Sequence, residues 1–121
     1  MLKKDPNTLE KINDYYNSEM AAHNKYLNFA SYLDGKNVVI YAKFLSDLAK
    51  DKTDAHMSRT FKYLSYFEFP AHISEKCVCK AIDYKYFNKM SLKEAVIEIF
   101  EDVYKTELKL REEIYNISVN A

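Results

Sequence analysis

The sequence predicts an all-helical bundle, and three observations carry that reading. The chain has one glycine and two prolines in 121 residues. Apolar side chains recur at spacings of three and four over three long stretches. Ser91-Leu92-Lys93-Glu94 has the capping-box pattern of a helix start. A sandwich or barrel needs turn residues about every 8–12 positions, which so few glycines and prolines cannot supply. At 48% hydrophobic the chain is too apolar for intrinsic disorder. Its length fits one domain, residues 1–121.

The first helix is expected over about 6–34. Asp5 serves as N-cap and Pro6 takes the first helical position, where its missing N–H costs nothing. Ile12, Tyr16, Glu19, His23, Tyr26, Ala30 and Leu33 make its inward stripe, and Asp34-Gly35-Lys36-Asn37 ends it, with the one glycine as the C-cap residue. The second helix is expected over about 38–67, with the stripe Val38, Ala42, Leu45, Ala49, Thr53, His56, Thr60 and Tyr63. Each of these helices is about 28 residues long, or ~42 Å. Phe69-Pro70 ends the second, and the irregular stretch from Glu68 to Met90 has room for a short helix over Ser74 to Tyr84. The third helix, about 92–118, carries Leu92, Val96, Ile99, Val103, Glu107, Leu110, Ile114 and Ile117 on one face.

Charge excludes several partners. Eighteen basic residues balance eighteen acidic ones, so no basic surface recommends nucleic acid. The longest apolar run, Val38 to Ala42, is far too short to span a membrane, and Met1-Leu2-Lys3-Lys4-Asp5-Pro6 does not read as a signal peptide. The expectation is a cytoplasmic protein, with Cys77 and Cys79 as reduced thiols, since a disulfide across Val78 would close a strained ring.

Two carboxylates and two imidazoles interrupt the apolar stripes: Glu19, His23, His56 and Glu107. A carboxylate or imidazole buried alone costs several kcal/mol, so these groups call for a partner. Glu19 and His56 sit nearly symmetrically about the Asp34–Asn37 turn, hence at one level of an antiparallel pair. His56 lies 18 residues beyond Val38 and Glu107 lies 15 beyond Leu92, similar depths if helices two and three run parallel through a long crossover. Two readings follow: a metal ion held by these groups, or a buried ionic network of the glutamates with Lys52 or Arg59.

The residues at this level resemble those of the ferritin-like di-iron family, most of all its non-haem ferritin subunits. Asn17 to Leu27 is similar to the ferritin segment in which a glutamate precedes a tyrosine by seven residues, here Glu19 and Tyr26. His56, with Phe61-Lys62-Tyr63-Leu64 after it, matches the histidine of the family's helix-two motif. Val103-Tyr104-Lys105-Thr106-Glu107 matches its helix-three segment, and Phe69-Pro70 resembles the start of its crossover. The resemblance implies a ferritin-like bundle with iron ligated by Glu19, His56 and Glu107. It also implies iron storage or Fe(II) oxidation by O2, as a ferroxidase, in a homodimer or larger homo-oligomer. Departures weaken that site. Thr53 stands where the family has a bridging glutamate, with the cation Lys52 beside it, and Asp51 and Asp54 are at the wrong offsets from His56. Asp54 also takes the place of the axial methionine of haem-binding relatives, so no haem is expected. No counterpart of the family's fourth helix is expected within these residues. One metal is then expected in preference to two, with His23 as a substitute ligand one helical turn from Glu19. The alternative is a non-catalytic oligomerisation module that kept the fold and lost the site.

Overall fold

A computed structural model of the chain describes residues 5–74 and 83–120. Among them there is no strand. The elements are α1 (Pro6–Gly35), α2 (Val39–Asp51), a π-helical turn (Lys52–Met57), α3 (Ser58–Tyr66), the short α4 (Tyr84–Asn88) and α5 (Leu92–Asn120). Cys77 and Cys79, and most of the short helix expected over Ser74 to Tyr84, lie outside the described residues.

Local chemistry sets the helix ends. The Asp5 carboxylate accepts from the Asn7 N–H at 3.4 Å, ahead of Pro6 in the first turn of α1. At the other end Gly35 stays within the helix, and the left-handed residue is Asn37 at φ 63°. The sequence reading gave that reversal to the glycine. Asparagine tolerates this region because its short polar side chain bonds locally. The Val38 N–H reaches back to the Leu33 carbonyl at 2.9 Å, closing a Schellman-type end. The same arrangement ends α3, where Glu68 takes φ 59° and the Phe69 N–H bonds to the Leu64 carbonyl at 2.9 Å. Ser91 caps α5, its hydroxyl accepting from the Glu94 N–H at 3.1 Å.

The helix-two stripe needs correction beyond Ala49. The backbone stays in the right-handed helical region through both junctions of the π turn, so α2, the turn and α3 form one continuous helical run. The buried positions, however, are Ala42, Leu45, Ala49 and Lys52, then Met57 and Leu64. Thr53, His56 and Thr60 are only half-buried, and Tyr63 is exposed. From Ala49 to Met57 is eight residues, where seven would keep α phase. The wider π turn absorbs the extra residue, so both apolar halves face α1.

Three sets of contacts fix the topology. Along α1 and the α2–α3 run, His23 meets Ala49 and Glu19 meets Lys52, an antiparallel pair about the Asp34–Asn37 turn. Lys25 meets Asp102 and Thr106 while Ser18 meets Glu113, so α5 is antiparallel to α1. Tyr41 and Phe44 pack on Phe100, and Lys52 reaches Glu107, so α5 runs parallel to α2. A parallel return requires the long crossover that the sequence implied. It begins against the N-terminal half of α1. Asn13 and Asn17, both buried, bond the His72 carbonyl at 3.1 and 3.0 Å, and their side-chain oxygens accept from the His72 and Ser74 N–H groups at 3.0 and 2.7 Å. It ends against the C-terminal half, where Phe87 of α4 packs on Phe29 and Tyr32.

Candidate metal centre

The centre lies where α1, the π turn and α5 meet at mid-height. From α1 come Glu19, 1% exposed, and Tyr26, fully buried, two turns apart on the stripe that also buries Ala22 and Phe29. From α5 comes Glu107, one turn beyond the buried Val103, with its carboxylate a third exposed. The residue delivered from the middle run is Lys52. It follows Ala42, Leu45 and Ala49 in unbroken α phase, so the face that buries those three also carries Lys52 inward to 3% exposure.

The Lys52 ammonium stands between the two carboxylates. Its Nζ donates to Glu107 Oε2 at 2.7 Å and lies 3.2 Å from Glu19 Oε2. The second contact is a buried ion pair at hydrogen-bond distance. The Tyr26 hydroxyl lies against the Glu107 carboxylate. Burial pushes the Tyr26 hydroxyl far above the ordinary tyrosine range, and the negative charge of Glu107 pushes it further. Tyr15 is raised in the same sense, by burial first and then by a bond to Glu19. Glu113, on the outer side of the same level, is raised by desolvation, with a bond from Ser18 partly opposing it. Sequence reasoning missed Tyr15 and Glu113, although both lie one turn or so from stripe positions already identified, on α1 and α5.

Of the four ligands expected from the sequence, the structure brings two together. Glu19 and Glu107 converge, but on Lys52. His23 sits one turn from Glu19 and spends its Nδ1 on the Ala49 carbonyl at 2.7 Å. His56 is half-exposed, its Nε2 3.5 Å from Asp51 Oδ2. Those two residues are five apart, an offset that an α-helix separates and a π turn stacks. Thr53 turns its hydroxyl back onto the Lys50 carbonyl at 2.9 Å. Arg59 is exposed on α3. Among the described residues no three histidine, cysteine, aspartate or glutamate side chains form a metal-binding group. Nor is any helix long and apolar enough to cross a membrane.

Comparison with known proteins decides the family. The family model for the ferritin-like domain matches residues 9–121. The chain belongs to the ferritin family. Its fold is similar to that of M. penetrans ferritin, with a TM-score of 0.79 and 25% identity over 94% of this chain and 64% of that one. Chlorobium tepidum ferritin is similar at a TM-score of 0.81 and 25% identity, over 100% of this chain and 66% of that one. The chain thus spans 64–66% of the length of these ferritins. No curated protein sequence matches it. Carboxylate oxygens suit iron, but a dication placed between Glu19 and Glu107 would meet the ammonium of Lys52 at the same spot, and like charges at contact distance repel strongly. The residues as arranged do not fit an iron ion.

Proposed function

We propose that this chain is a ferritin-type subunit with a structural part in iron handling: it builds a homo-oligomeric assembly and does not oxidise Fe(II) at its own centre. The observation that carries this reading is the Lys52 ammonium, buried between the two carboxylates that the family resemblance assigns to iron. The exposed flank of α2 supports assembly. Ile40, Tyr41 and Phe44 are exposed there, Ile40 at 82%. Contiguous apolar surface of this kind marks association in soluble proteins, and aromatics are enriched at such interfaces.

The test is Fe(II) oxidation by O2 under conditions where the protein's mass is measured in parallel. The wild type should oxidise Fe(II) no faster than buffer and should sediment as a dimer or larger species. A second reading, the weakened ferroxidase, has one observation in its favour, the convergence of Glu19 and Glu107. It wins if wild type accelerates oxidation and Glu107→Gln abolishes the acceleration.

A further inference from the structure

We infer that the outward face of α5 pairs antiparallel with the same helix of a second copy, in a register fixed by Glu101 and Arg111. This rests on the reading of the chain as a homo-oligomer and names the surface by which two copies meet.

Besides the stripe that faces α1, α5 carries a second one. Ile97, Glu101, Tyr104, Leu108, Arg111 and Tyr115 recur at alternating spacings of four and three, the period of a coiled-coil seam. At 100° per residue this seam lies roughly 140° round the helix from the buried Ile99, Val103, Leu110 and Ile117. Its four apolar members are all exposed, Tyr104 at 68% and Tyr115 at 65%. Glu101 and Arg111 are exposed as well, and among the described residues neither makes an ion pair. From Ile97 to Tyr115 the seam spans ~27 Å. Phe100 joins it to the apolar flank of α2, where Tyr41 and Phe44 pack on that ring. Apolar side chains held outward over such a length mark a contact surface.

The order of residues along the seam selects the occupant. Its members are placed symmetrically about position 106. A two-fold axis at that level lays a second copy across the seam with Ile97 against Tyr115, Glu101 against Arg111 and Tyr104 against Leu108. Each pairing occurs twice, apolar on apolar and acid on base. A parallel copy would oppose each residue to itself, Glu101 to Glu101 and Arg111 to Arg111, and like charges at contact repel. Sliding the antiparallel copy by one heptad sets Arg111 against Leu108 or Glu101 against Tyr104, depending on direction. The symmetric register pairs every member with its complement. A surface complementary to itself in this way is the mark of a closed, isologous dimer contact.

The experiment is sedimentation equilibrium of the full chain, wild type against charge reversals, with helicity read in parallel by circular dichroism. Glu101→Arg and Arg111→Glu each set like charges opposite one another at both ends of the contact. Each should raise the dissociation constant of this contact about tenfold, with helicity unchanged. Glu101→Arg combined with Arg111→Glu puts opposite charges back in register and should return the constant to within about threefold of wild type. An assembly that both single reversals leave as tight as wild type, or that the double reversal fails to rescue, overturns this interface while the homo-oligomer stands. A wild type that is monomeric at tens of micromolar overturns the assembly itself and this contact with it, and leaves the seam to a different partner.

Discussion

A charge placed inside a protein is stable only with its counter-charges beside it, and at the centre of this bundle that condition falls on single side chains. Lys52, Glu19 and Glu107 satisfy it mutually, while Tyr15 and Tyr26 are the neutral groups wedged against them. Both hydroxyls are held above their ordinary ionisation range by burial and by glutamate charge. A group whose folded pKa is raised adds stability below its unfolded pKa, near 10 for tyrosine, and that contribution fades as pH climbs beyond it. The chain should therefore lose stability above about pH 10. In an alkaline absorbance titration, two of its eleven tyrosines should ionise only as the helical signal collapses. Glu113 follows the same sign at the acid end. Desolvation raises its carboxyl, so ionising it at neutral pH works against folding. Glu113→Gln should stabilise the protein at pH 7 in urea unfolding, with the advantage gone below about pH 4. At this scale Glu19 and Glu107 were legible as polar residues on inward positions, and Lys52 as a cation beside Thr53 available to pair with them. The histidines were not, because which atom a histidine bonds depends on backbone carbonyls and side chains that no spacing rule specifies.

At the scale of the element, the π turn explains why reading the second helix by a single period failed midway. Ala42, Leu45 and Ala49 keep α phase, and so do Met57 and Leu64, but the two sets differ by one residue. The interval of eight from Ala49 to Met57 was visible in the sequence. Treating Thr53 and His56 as stripe positions concealed it, since those two kept α phase by themselves. Deleting Asp54 from the turn should leave both apolar sets facing α1, with a stability change within about 2 kcal/mol. Deleting Asp47 from α2 turns Ala42 and Leu45 by about 100° out of the core and should cost more than about 3 kcal/mol. Urea unfolding of the two deletions measures the contrast. Helix ends offer a second check. Glu68 holds a left-handed conformation that costs a non-glycine residue roughly 1–2 kcal/mol. Glycine pays nothing there but loses ~0.5–1 kcal/mol more chain entropy on folding. Glu68→Gly should accordingly stabilise by about 0.5–1 kcal/mol, read as a raised Tm.

For the whole molecule, the antiparallel first pair and the parallel third helix follow from where polar residues fall along each stripe. Matching depths of Glu19, Lys52 and Glu107 require α5 to start at the same end of the bundle as α2. The same topology was legible through His56, about one turn beyond Lys52, because helices are rigid rulers of fixed rise. The sequence did not contain the anchoring of the crossover, because Asn13 and Asn17 bond backbone groups, and backbone groups leave no trace in residue type. Each asparagine is buried and bonded to the segment at His72 and Ser74. Replacing Asn17 by alanine strips partners from half-buried backbone of the crossover and should cost about 1–3 kcal/mol in chemical unfolding.

The same pair of asparagines bears on the order in which the chain assembles. Their bonds join residues 55–59 apart in sequence, whereas Ser18 must find Glu113 across 95 residues. Once the clamp has closed, only the span from Ser74 to Ser91 remains free before α5 begins, and a short loop is entropically easier to close than a long one. The two amides thus convert one distant search into two nearer ones, which predicts a place for them in the folding nucleus. Their loss should slow refolding as well as speed unfolding, and stopped-flow kinetics of Asn13→Ala would resolve the two arms.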